Sequence, residues 1–139
     1  QAIKHLIEDL LLMQQMQPEM IGIGPFIPHL ATPLGKAPAG GLNLTLAVIA
    51  VTRLMHPKAL IPSTTALATL SPRGRIEGIL SGANVVMPNL SPTDVRARYA
   101  IYENKASFGA EAAEGVSTLE EELQSIGFHI DYSRGDFNH

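Results

Sequence analysis

Met20-Ile21-Gly22-Ile23-Gly24-Pro25-Phe26-Ile27-Pro28-His29 decides how this chain reads. It opens as a short apolar run and closes in a turn rich in Gly and Pro. That combination marks a buried parallel strand running into a loop. The glycines permit close backbone approach, and the prolines stop a helix from forming. In a barrel of βα units such a loop lies on the catalytic face.

Composition sets the limits. The 139 residues suffice for a single domain, 1–139. They are 45% hydrophobic and 17% charged, with net charge −3. The charged share lies below the usual value of about 25%, which implies extensive burial or a covered surface. The ten basic residues form no stripe, which argues against nucleic acid as a partner. The absence of Cys excludes disulfides, thiolate zinc sites and an iron–sulfur cluster held by this chain's own thiolates. No apolar run approaches the roughly 18–20 residues of a membrane span. Glu8 and Asp9 interrupt the apolar N-terminal segment, so it does not read as a signal peptide. The expectation is a soluble, cytoplasmic protein.

Outward from the opening stretch, residues 2–16 have helical periodicity, with Ile3, Leu6, Ile7, Leu10 and Met13 on one face. Pro18 ends that helix. A helix directly before a buried strand looks like a start in mid-fold. Residues 25–42 form a long loop. A second helix is predicted over 44–56, with Asn43 as N-cap. Leu44, Ala47, Val48, Val51, Leu54 and Met55 make its apolar face, extended by Ile49 and Ala50, and His56-Pro57 ends it.

Leu60-Ile61-Pro62-Ser63 reads as a second strand, with Pro62 implying a strand end or distorted pairing. Ser71-Pro72 opens a third helix, with Ile76, Ile79 and Leu80 inward and Gly82 at its C′ position. Ala83–Met87 is a third strand. Ser91-Pro92 opens a fourth helix carrying Val95, Tyr99 and Tyr102. Residues 103–117 read as weakly ordered. Thr118 and Glu121 then match a capping box, giving a last helix 118–126 closed by Gly127. The tail from Asp131 is expected to fray.

Strand then helix, three times over, predicts a parallel α/β sheet with outer helices. An open doubly wound sheet and the last three to four units of a (β/α)8 barrel are both compatible with it. Ligands in such folds sit at the C-terminal ends of strands. Those ends carry Gly24–His29, Ser63–Thr65 and Met87–Asn89, an apolar mouth with a few polar groups, suited to a small molecule. Gly-Ile-Gly is no dinucleotide fingerprint, because no helix opens after it. His29 reads as a base, a metal ligand or a plain hydrogen-bonding loop residue. Thr64 and Thr65 read equally as turn caps, Met87 as core filler, and Tyr99 as a packing residue.

These segments, in order, resemble a known family. Ile21-Gly22-Ile23-Gly24-Pro25-Phe26-Ile27-Pro28-His29, Thr32-Pro33-Leu34, Leu44-Thr45-Leu46, Thr52-Arg53, Ile61–Ala66, Gly82–Asn89 and Tyr99–Tyr102 are similar to the FeFe-hydrogenase maturases called HydE, in the radical S-adenosylmethionine (SAM) superfamily. The resemblance covers almost the whole chain and corresponds to the C-terminal portion of such a protein. It implies a partial (β/α)8 TIM-type barrel and SAM as cofactor, cleaved to a radical with electrons from a 4Fe–4S cluster. The cluster's Cys-x3-Cys-x2-Cys motif is absent here and belongs to the N-terminal part in the family, so this fragment alone is expected to be inactive.

By position, the resemblance places Met87, Tyr99, Gly24, Pro25 and Phe26 at SAM, and Thr64 and Thr65 in the substrate cavity. It implies a small-molecule or iron-containing substrate during assembly of the hydrogenase di-iron site, with other maturases and a reductant as partners. Methylornithine synthase and biotin synthase-like enzymes are the rival resemblances. A free-standing half-barrel used for binding or scaffolding is the reading from another class. A half-barrel's open sheet edges predict self-association.

Overall fold

A computed structural model of the chain describes residues 2–87 and 112–137. The fourth helix, Tyr99, Tyr102, Pro88 and Asn89 lie outside the described residues. Helix α1 spans Ile3–Met16 and α2 spans Leu42–Met55. Strand β1 is Pro62–Ser63, followed by α3 (Thr65–Leu70), α4 (Gly74–Leu80), β2 (Val85–Val86) and α5 (Ala112–Gln124).

The strands pair in parallel, Pro62 with Val85 and Ser63 with Val86. A parallel bridge joins Met20 to Leu60 on the other side of β1. Helix α2 connects the Met20 segment to β1, and α3 with α4 connect β1 to β2. The α/β architecture with parallel pairing is thus as expected. Among the described residues the regular sheet has two strands.

The predicted strand Met20–Gly24 is reduced to a single bridge, and Pro62 explains why. Leu60 donates its N–H to the Glu19 carbonyl at 2.8 Å, and Ile21 donates to the Leu60 carbonyl at 2.9 Å. The next rung of a parallel ladder needs an N–H from residue 62 aimed at Ile21, and proline has none. Ile61 instead faces β2. Its carbonyl accepts from the N–H groups of Asn84 and Val85, and its own N–H donates to Asn84 Oδ1 at 2.8 Å.

The core joins Ile21, Ile49, Ile61, Leu67, Ile76 and Ile79 with Leu119 and Leu123 of α5. Three predicted helix faces need correction. Helix α2 buries Thr45, Ile49, Thr52 and the following His56, while Leu44, Ala47, Val51 and Leu54 are exposed. The inversion has a physical cause. Thr45 and Thr52 donate their hydroxyls to the carbonyls of Gly41 and Val48, at 2.9 and 2.7 Å, and so pack as small apolar groups. On α1 only Leu10 is buried; Ile3 and Ile7 are exposed. On α4, Ile76 and Ile79 are buried but Leu80 is exposed.

The helix starts also shift. Gly41, not Asn43, caps α2. Helix α3 was not foreseen in the sequence. Ser71 therefore forms the turn between α3 and α4, and α4 begins at Gly74 after the cap Arg73. Thr118 lies inside α5, which starts at Ala112, so the capping box does not open it. The helix stops hold better. Gly82 has φ +117, its N–H reaches the Ile79 carbonyl, and Ala83 reaches Gly78, the Schellman pattern. Gly127 closes the last helical segment in the same way. In the exposed tail, Tyr132 donates to Glu120 Oε2 at 3.2 Å.

Helix α4 lies close against β1 through Gly78. A Cβ at Gly78 would collide with Ser63 Oγ, which donates to the Arg75 carbonyl at 2.8 Å. Gly78→Ala should therefore lower stability by about 1–3 kcal/mol, as overpacking does. Gly22→Ala, where nothing lies within 4 Å, should cost nothing and gain up to about 1 kcal/mol from the unfolded chain. Urea denaturation of both variants checks the contrast.

Candidate functional site

The Met20–Leu60 bridge sets a register that brings Gly24 level with Thr64, and the two do meet. A Cβ on Gly24 would lie 3.0 Å from Thr64 Oγ1. Glycine here leaves that space to the threonine hydroxyl. Ser63 pairs with Val86, so Thr64 and Met87 are the residues that directly follow the ends of β1 and β2. Gly24 and Thr64 therefore stand side by side, and Met87 lies one residue past the Ser63–Val86 pair.

The hydroxyl cluster expected at Ser63–Thr65 is divided. Ser63 is buried and turned into the fold toward α4. Thr65 is the first residue of α3 and half-buried. Thr64 occupies the N-cap position of α3, yet its side chain makes no capping bond. Its Oγ1 is buried without a hydrogen-bond partner among the described residues. An unpaired buried hydroxyl is costly, and functional sites are where such groups are retained.

Pro25 is buried and Phe26 is exposed. The long loop folds back on them: Gly40 donates to the Phe26 carbonyl at 2.7 Å, and a Cβ on Gly40 would lie 2.9 Å from the Phe26 nitrogen. Met87 is also exposed. Phe26 and Met87 thus present exposed apolar side chains in the segments that follow Gly24 and β2. His29 has the plain role. Its Nδ1 accepts from the Ala31 N–H at 3.1 Å, and its carbonyl accepts from the Thr32 N–H and hydroxyl. It builds the turn. Among the described residues no cluster of three or more His, Asp or Glu is arranged to hold a metal ion. Likewise, no helix of the described residues is long and apolar enough to cross a membrane.

The opposite end of the sheet carries a polar group that the sequence reading left unassigned. Arg53, in the last turn of α2, donates to the carbonyls of Gly82, His56 and Pro57. Burial lowers its pKa from the ordinary arginine value. Arg53 Nη2, His56 Nε2 and Glu77 Oε2 are buried without partners among the described residues.

No protein-family model matches the chain. Its likeness to radical SAM enzymes, read above from ordered motifs, is nevertheless shown by two relatives. The chain is 45% identical over 105 residues to the [FeFe] hydrogenase maturase subunit HydE of Thermotoga maritima, a match covering 76% of this chain and 30% of that protein. It is 32% identical over 92 residues to the 3-methylornithine synthase of Methanosarcina acetivorans, covering 66% of this chain and 25% of that enzyme. The chain is thus HydE-like, and its matches span less than a third of either relative's length.

The Gly24–Thr64 contact yields a prediction. Thr64→Val replaces the unpaired hydroxyl with a methyl of similar shape and should stabilise the free chain by about 1 kcal/mol. Gly24→Ala should destabilise it, and less so in a Thr64→Ala background, with a coupling of about 0.5 kcal/mol or more. Thermal unfolding of the four variants would measure both effects; a Thr64→Val variant less stable than the parent would mean the hydroxyl has a partner.

Proposed function

We propose that this chain contributes the C-terminal βα units of a radical SAM enzyme of the HydE kind, as a single domain within a (β/α)8 barrel. The observation that carries the reading is the convergence of Gly24, Thr64 and Met87 at the C-terminal ends of parallel strands, within a sequence 45% identical to HydE. Active sites of such barrels lie at that end.

The residues fit the two cofactors unequally. With no Cys in its sequence, the chain cannot supply thiolates to a 4Fe–4S cluster, whose ligands belong to another part of the protein. By the same token the chain by itself is inactive. SAM suits the mouth better, having both apolar and hydrogen-bonding parts. In this reading Met87, with Tyr99, holds the adenosyl part, and the backbone of Gly24, Pro25 and Phe26 forms the adjoining wall. Thr64 and Thr65 line the substrate cavity, where the Thr64 hydroxyl finds its missing partner. SAM supplies, when bound and reduced, a radical that attacks substrate. The chain's own residues position both molecules and exclude water.

The substrate in the HydE reading is a small or iron-containing precursor of the hydrogenase di-iron site. Other maturases and a reductant are the partners, and the cytoplasm is the setting. The similarity to 3-methylornithine synthase supports a second reading with the same site and a different substrate.

A chimera tests the proposal. The matched residues of the Thermotoga HydE would be replaced by those of this chain, and 5′-deoxyadenosine measured after reduction in the presence of SAM. The nucleoside should form. Met87→Ala should weaken SAM binding roughly tenfold, as loss of a well-buried apolar contact does. A chimera that folds, carries its cluster and yields no 5′-deoxyadenosine would refute the reading.

Taken alone, the chain should self-associate through its open strand edges. The backbone groups of Met20 and Gly22 that point away from β1 form one such edge. Light scattering should show mass above that of a 14.9 kDa monomer; a strictly monomeric mass at high concentration would count against a half-barrel.

A further inference from the structure

Thr52-Arg53 is a motif that the proposed site does not use, yet the Arg53 side chain donates to three backbone carbonyls, two in the turn that follows its own helix and one, Gly82, on another element. Its Nε donates to the Gly82 carbonyl at 2.8 Å. Its Nη1 donates to the His56 carbonyl at 3.1 Å and to the Pro57 carbonyl at 2.8 Å. His56 and Pro57 begin the turn that feeds β1. Gly82 begins the turn that feeds β2. One planar, permanently charged fork therefore binds both turns in a fixed relation, which a flexible ammonium cannot reproduce.

Gly82 is shaped for this contact. Its φ of +117 lies in the region glycine favours, and a Cβ there would lie 2.7 Å from Arg53 Cβ. From these turns the two strands run directly to Thr64 and Met87. The regular pairing between them is short, Pro62 with Val85 and Ser63 with Val86. So short a ladder has little register information of its own, and the anchors at its entry supply the rest.

We infer that Arg53 is a positioning residue: by pinning the turns at His56-Pro57 and Gly82, it sets the height of the Thr64 strand end relative to the Met87 strand end. Its relevance to catalysis rests on the reading of Thr64 and Met87 as walls of one site. The geometry itself is independent of any ligand.

The test uses the whole chain, free of ligand, with 13C-methyl labels on Met and Thr. Arg53→Lys and Gly82→Ala attack the same contact from its two sides. Each should shift the Met87 and Thr64 methyl resonances together, while the Leu119 and Leu123 amides stay in place. Each should also speed exchange of the Ala59 and Val85 amides in parallel, roughly tenfold or more, the equivalent of one charge-assisted hydrogen bond. Shifts confined to residues 56–60 and 82–84 would overturn the inference.

If neither variant folds, the parent chain decides. Normalised to their intrinsic rates, the Arg53 Nε–H and the Ala59 and Val85 amides should be equally protected, because the turns and the clamp open together. An Nε–H much less protected than these amides would show that the turns hold without it. A negative result with SAM would bear on the proposed function and leave these readouts unaffected.

Discussion

The missing amide hydrogen of Pro62 shapes this structure more than any single contact. A proline in a shared strand removes the donor on one side only. The Ile61 and Ser63 side of β1 keeps its ladder with β2. The other side keeps one bridge, at Leu60. The Met20–Gly24 segment is then held by side chains, with Ile21 in the core, and by the contact of Gly24 with Thr64. Relaxed pairing beside a strand end is what lets a threonine hydroxyl occupy the space over a glycine.

Much of the architecture was legible in the sequence. The apolar runs at 20–24, 60–63 and 83–87 all took part in parallel pairing, and the breakers Pro18, His56-Pro57, Gly82 and Gly127 all ended elements. Breakers act through local backbone geometry, which a sequence displays directly. The misses have a different physics. The buried face of α2 was misread because Thr45 and Thr52 satisfy their hydroxyls within the helix. A residue counted as polar then behaves as apolar, and the visible Leu and Val stripe is the exposed one. Nothing in a period of 3.6 signals that exchange.

The site was legible only in part, for a similar reason. Its location followed from topology, since strand ends of one sense share one end of the sheet. The division of labour among Ser63, Thr64 and Thr65 did not. It depends on where α4 presses against β1 at Gly78, a contact between residues far apart in sequence. Arg53 gave a signal only as part of a family-like motif, because its acceptors are backbone carbonyls, which every sequence possesses everywhere.

The two ends of the sheet differ in how they treat polar atoms. At the entry of the strands, Arg53 and Asn84 bind backbone groups across elements. Those bonds consume the hydrogen-bonding capacity of turns that would otherwise be mobile. At the exit, Thr64 Oγ1 is buried and has no hydrogen-bond partner among the described residues, and Phe26 and Met87 are exposed. Folding alone gains nothing from that exit, since an unpaired hydroxyl and exposed apolar side chains both oppose it. Both ends leave buried polar atoms unpaired among the described residues, Arg53 Nη2 and His56 Nε2 at the entry and Thr64 Oγ1 at the exit; the entry is distinguished by its bonds across elements, a division between a clamped end and an open one. In parallel α/β proteins that division is general. Here it follows from one arginine fork, one proline without a donor, and one glycine that leaves room for a hydroxyl.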